Sequence, residues 1–149
     1  MNPGYLTDEE YDFIYSRSPR ICVDLLIHNS DGAILLTKRD IEPYKDHWHF
    51  PGGRIKFRET VESALKRIFK AELGHELSDL GTQHVGFCEF LEEVQKGQDR
   101  HSISMVHRIQ VPDDFVPTLD KQAKGFQFFN QLPSPIIPPQ KDFLATFQL

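Results

Sequence analysis

Cysteine is scarce in this sequence: two in 149 residues. Cys22 and Cys88 each sit inside an apolar stretch without metal spacing, which excludes a disulfide scaffold and a cysteine-built zinc site. They read as core thiols of a reducing compartment. No apolar run approaches the roughly 18 residues that a membrane helix needs, and the first residues lack a leader pattern. The expectation is a cytoplasmic protein without a membrane partner. Basic charge is in deficit, with 17 Lys and Arg against 22 Asp and Glu and a net charge of −5. That argues against a nonspecific nucleic-acid binder and leaves room only for a local basic pocket, for which Lys38, Arg39 and Arg54 are candidates. Internal repeats and low-complexity tracts are absent.

What is present suits one domain with its own core, since 39% of the residues are hydrophobic. Residues 1–149 are therefore expected to form a single unit. Thr7, with Glu10 three residues on and Tyr11, Ile14 and Tyr15 sharing a face, predicts a capped helix over about 6–17, for packing or subunit contact. Arg20 to His28 reads as a strand, apolar almost throughout except at Asp24. Asn29 to Gly32 turns it into a second strand, Ala33 to Thr37. His47 to Phe50 is a short strand. His47 and His49 share a face there, but no third ligand follows, so a zinc site is not expected. Two long strands, His84 to Val94 and His101 to Val111, turn through Lys96 to Asp99, and Gly125 to Phe129 is a late strand. Glu89, Glu92 and Glu93 read as a solvated strand edge that can also offer a carboxylate; His101 and His107 read as structural. Leu132 to Pro139 carries four prolines in eight residues, which predicts a stiff connector. The extension 132–149 ends in a short amphipathic segment, Lys141 to Leu149, whose Phe143, Leu144 and Phe147 can dock on the domain or on a second subunit. This ordering predicts an α/β or α+β fold with a mixed sheet between helices.

Gly52 to Gly74 organises the rest. A double-glycine turn leads into a helix expected to begin near Glu59 and stop at Gly74, which can take the left-handed conformation. Val61, Ala64, Leu65, Ile68 and Ala71 form an apolar stripe, and Ser63, Lys66, Arg67 and Lys70 point away from it. Glu72 breaks the pattern, since at 3.6 residues per turn its carboxylate projects within about 20° of Val61. Such a carboxylate must be paired, protonated or bound to a metal. Asp24 is a second buried-charge candidate, either paired with an arginine such as Arg39 or turned to solvent.

Gly53, five residues, Glu59, seven residues, Arg67, then Glu72 and Gly74 resemble the Nudix box, G-x5-E-x7-R-E-U-x-E-E-x-G-U, where U is a bulky apolar residue. Ile68 and Ala71 stand where the box has glutamates, and His75 takes its final apolar place. This depletion resembles the GDP-mannose mannosyl hydrolase branch, as do Asp24, Leu35 to Arg39 and Trp48 to Arg54. The resemblance covers roughly residues 18 to 131. It implies a Nudix-type α/β/α sandwich with a mixed β-sheet, and a homodimer. It also implies magnesium, with manganese as a substitute, held by the Gly52 carbonyl, Glu72 and Gln122, and a nucleotide-sugar substrate contacted by Asp24, Arg39 and Arg54. The implied reaction is attack of water on the sugar carbon of GDP-mannose. Ala123 occupies the place of the branch's general-base histidine. His101, a glutamate of the Glu89 to Glu93 segment, or metal-bound hydroxide would then have to serve. Two other readings stay open: a Nudix hydrolase that cleaves a nucleoside diphosphate linkage at phosphorus, and a catalytically weak domain that binds a nucleotide sugar.

Overall fold

The computed structural model describes residues 5–77, 80–95 and 97–148. Helix α1 (Asp8–Tyr15) carries the expected capping box, with the Thr7 hydroxyl accepting from Glu10 N–H and the Glu10 carboxylate accepting from Thr7 N–H. None of its residues is buried. Polar contacts to arginine hold it instead: Asp12 pairs with Arg100 at 2.5 Å, and the hydroxyls of Tyr11 and Tyr15 accept from Arg20 and Arg54.

The strands are β1 (Arg20–His28), β2 (Ile34–Arg39), β3 (Trp48–His49), β4 (Gly52–Arg54), β5 (Thr82–Gln95), β6 (Gln98–Gln110) and β7 (Ala123–Phe129). They form one sheet in the order β3-β2-β1-β6-β5, with β4 pairing to β1 and β7 to β2. The β1–β6 pair is parallel and the other pairs are antiparallel, so the sheet is mixed as expected. Helix α2 (Val61–Leu73) packs on one face and α3 (Pro138–Thr146) on the other. The period of two along β1 divides its side chains between these layers. Val23, Leu25 and Ile27 enter the α2 layer with Leu35 and Ile109, whereas Leu26 joins Leu36, Phe50 and Val106 on the α3 side.

Strands β2, β5 and β6 are offset from their expected bounds by one to three residues at their ends, β6 opening at Gln98 inside the expected turn, and three further boundaries differ for a local reason. Helix α2 starts at Val61 rather than near Glu59, because Thr60 caps it and the Glu59 side chain is drawn into a two-pronged bond with Arg67. Its buried face is Ala64, Leu65, Ile68, Phe69 and Leu73, so Phe69 replaces Ala71, which is exposed. Each large side chain buried there contributes roughly 1.5–3 kcal/mol. The helix does end at Gly74, at φ 71°, where an added Cβ would stand 2.7 Å from Thr118 Cβ. Strand β7 begins at Ala123, two residues earlier than expected, because Ala123 pairs with Arg39 across a bulge. Finally, α3 begins inside the proline-rich stretch. Pro138 and Pro139 fill its first turn, where a missing N–H breaks no helical bond. The expected turn residue Lys96 and the terminal Leu149 lie outside the described residues. No helix among the described residues is long and apolar enough to cross a membrane.

Candidate active site

The turn before α2 is locked by the eight-residue spacing of Glu59 and Arg67. Arg67 donates to both Glu59 oxygens, at 2.7 and 2.8 Å, and to the Arg54 carbonyl at 2.8 Å, while Lys56 N–H donates to Glu59. The Arg67 bond holds the Glu59 carboxyl below the usual carboxylate range. The lock sets the path of Gly52 to Arg54, which form the extended strand β4 paired antiparallel to β1 rather than the expected double-glycine turn, because Gly53 and Gly52 take up register with Val23 and Asp24. Gly52 can only be glycine, because an added Cβ would lie 2.5 Å from Asp24 Oδ1 and 2.6 Å from the Val23 carbonyl oxygen.

Beside β4 lies a cavity of about 290 Å³. It brings together Asp24 of β1, Arg39 of β2, Gly52 and Arg54 of β4, and Gln122 of the turn just before β7. Asp24 shares the α3 side with Leu26 and is 7% exposed. Its partner is Gln140 of α3, whose Nε2 donates to Oδ2 at 3.0 Å, and not Arg39, whose Nε donates to the Pro43 carbonyl at 2.7 Å. Burial raises the Asp24 carboxyl to a pKa of about 7, against the opposing pull of the Gln140 amide. The buried Ser104 hydroxyl lies beside it without completing a bond of good geometry to a described group.

Glu72 does not line this cavity. Its half-buried carboxyl lies beside Asp120, in the loop that leads to Gln122, and Asp120 Oδ1 accepts from Gln122 N–H at 2.9 Å. Burial, and next the Asp120 charge, raise Glu72 to about 7, while Arg39 pulls the other way. A carboxyl raised by burial and by a neighbouring acidic side chain is a donor whose ionisation a hard divalent cation favours, with neutral oxygens completing the shell. The donor chemistry fits magnesium or manganese. No cluster of three His, Cys, Asp or Glu side chains among the described residues forms an all-protein metal cage. His49 bonds Thr37 Oγ1 at 3.2 Å, and burial, then nearby Arg39, hold its pKa down to about 3. It stays neutral at ordinary pH.

The other candidates divide. Glu93 lines the cavity but pairs with Arg20 at 3.2 Å, whereas Glu89 and Glu92 are exposed. His101 lines a different hollow beside α1. Lys38 does not join the basic wall; it lies over the Trp48 ring, and Arg20 takes the place expected of it. Cys22 is half-buried on the cavity wall rather than in the core, while Cys88 is buried. Sequence reasoning passed over Asp120, Arg20 and Gln140. Asp120, two residues before Gln122, had a signal in its oxygen-rich loop; Gln140 had none.

Among known proteins, the chain is 32% identical over 129 residues to the low-salt glycan biosynthesis protein Agl8 of Haloferax volcanii, covering 82% of this chain and 80% of that one. A MutT NUDIX hydrolase from Burkholderia pseudomallei superposes with a TM-score of 0.69 at 23% identity, over 89% of this chain and 100% of that one. The NUDIX domain of Shewanella oneidensis NrtR, solved with ADP ribose, superposes with a TM-score of 0.58 at 15% identity, over 94% and 88%. The NUDIX domain model matches residues 18–147. With the box residues Glu59 and Arg67 bracing the glycine strand β4, the chain belongs to the Nudix hydrolase family.

Proposed function

We propose that the cavity binds a nucleotide sugar and that the protein hydrolyses it with a divalent cation, the substrate being GDP-mannose and the products GDP and mannose. The observation that carries this reading is the meeting of a buried, half-titrated carboxyl, Asp24, with the guanidinium groups of Arg20, Arg39 and Arg54 in one cavity. Guanidinium forks suit a diphosphate, and the carboxyl suits the hydroxyl-bearing end. The glycan-related name of the Haloferax volcanii protein supports a sugar context.

Arg39 and Arg54 orient the diphosphate and offset the charge that grows on its departing oxygen. Asp24 takes the proton of the attacking water: its pKa near 7 suits a base at neutral pH, and Glu93 is engaged with Arg20. The oxygen of water bonds to the sugar carbon, the carbon–oxygen bond to the diphosphate breaks, and its electron pair leaves with GDP. Glu72 and Asp120, with the Gly52 carbonyl and Gln122, would hold magnesium or manganese, which neutralises charge on the diphosphate when bound.

Cleavage at phosphorus is the second reading. It is favoured by 43% identity over 56 residues to an ADP-ribose pyrophosphatase of Methanocaldococcus jannaschii, although that match covers only 38% of this chain. Incubation of GDP-mannose and ADP-ribose with protein and magnesium in ¹⁸O water separates the two. Label in mannose supports attack at carbon, label in phosphate overturns it, and binding without turnover identifies a ligand-binding domain.

A further inference from the structure

Helix α3 buries one residue among those described, and it is polar: Gln140, 2% exposed. A helix docked only for stability would place an apolar side chain there. Gln140 instead spends its amide on two distant segments. Its Oε1 accepts from Phe50 N–H at 2.9 Å, and its Nε2 donates to Asp24 Oδ2 at 3.0 Å. A backbone N–H can only donate, so the oxygen end must face Phe50 and the NH2 end must face the carboxyl. The same two segments are joined by the bond from Leu25 N–H to the Pro51 carbonyl at 2.8 Å, and the other carboxyl oxygen of Asp24 rests over Gly52. Both oxygens of Asp24 are thereby placed, one by the amide and one by Gly52.

We propose that Gln140 is a positioning residue of the cavity: it holds the Asp24 carboxyl in one orientation against the Phe50 to Gly52 segment, so that the C-terminal helix completes the site. The catalytic part of this proposal rests on the reading of the cavity as the substrate site. Gln140→Met keeps the length of the side chain and removes both bonds. Gln140→Glu keeps the acceptor for Phe50 and replaces the donor to Asp24, which isolates the second bond.

The test is a double-substitution cycle with Asp24→Asn, read on GDP-mannose turnover with magnesium. Loss of orientation at a reacting group costs up to about 100-fold in rate. Gln140→Met is expected to lower kcat by about 10–100-fold with KM within about threefold, the pattern of an interaction used in the transition state. In the Asp24→Asn background the same change should cost less than about threefold, since the two residues act as one unit. Losses that multiply would overturn the proposal, because a structural role would harm both backgrounds alike. A second arm does not depend on the substrate. In NMR spectra of the labelled protein, Gln140→Met and Gln140→Glu should both shift the Asp24 carboxyl carbon, while the Ile68 and Phe69 amides of α2 stay in place. An Asp24 resonance at its wild-type position in both variants overturns the proposal. Absence of wild-type turnover with a shifted Asp24 carboxyl supports the positioning role and counts against the functional reading alone.

Discussion

Replacing Asp24 by asparagine should stabilise the protein while disabling it, with a pH dependence set by the carboxyl itself. In the unfolded chain Asp24 titrates near 3.8, and in the folded cavity near 7, chiefly through burial. The sign follows from proton linkage. The folded state holds its proton more tightly, so the wild-type fold is relatively favoured in acid and pays a growing cost as pH rises from about 4 to about 7. Above that window the cost is constant. At about 1.4 kcal/mol per pH unit it amounts to roughly 4 kcal/mol at most, and less to the extent that water enters the cavity. Asparagine has no such cost and can still accept from Gln140 through its carbonyl oxygen. Urea unfolding of both proteins from pH 4 to 8 should therefore give curves that nearly coincide at the acid end and separate progressively, with the variant the more stable at pH 8. Other titrating groups cancel in the difference. A stability difference that is flat across the range, or that favours wild type at pH 8, would refute the burial argument. In parallel, turnover of the nucleotide sugar at pH 8 should fall by about 10²–10⁴-fold, the usual worth of a general base.

Magnesium is expected to raise the Tm of the wild type, and Glu72→Gln to abolish that rise, because it removes one carboxyl of the Glu72–Asp120 pair; a thermal melt with and without the ion checks this, and an unchanged rise would move the cation elsewhere. Without the ion, the same variant should be the more stable above about pH 7, since the Glu72 carboxyl is also raised to about 7. Gly52→Ala forces the added methyl into Asp24 and the Val23 backbone, and overpacking of this kind costs roughly 1–3 kcal/mol. Denaturant unfolding should show that loss together with reduced turnover, and a variant as stable as wild type would mean that the strand relaxes freely.

Much of the fold was legible because local chemistry set it. The Thr7–Glu10 capping box, the left-handed stop at Gly74 and the interrupted apolar run of β1 each specify a neighbourhood of a few residues. The structure has elements at all three places. Box spacing likewise placed Gly53, Glu59 and Arg67. Element ends were less legible because long side chains competed for them: Arg67 drew Glu59 out of α2, and the prolines at 138 and 139 started a helix where their number suggested a connector.

By itself the sequence determined the family, the mixed α/β architecture and the need for some partner at Asp24 and Glu72, because a charge inside an apolar pattern must be compensated wherever the chain runs. Only the tertiary structure decided who those partners are. Gln140 reaches Asp24 across 116 positions of sequence, and Asp120 arrives beside Glu72 from a loop beyond two long strands. Such meetings depend on which sheet face a side chain takes and which helix covers that face, and neither is written in local spacing.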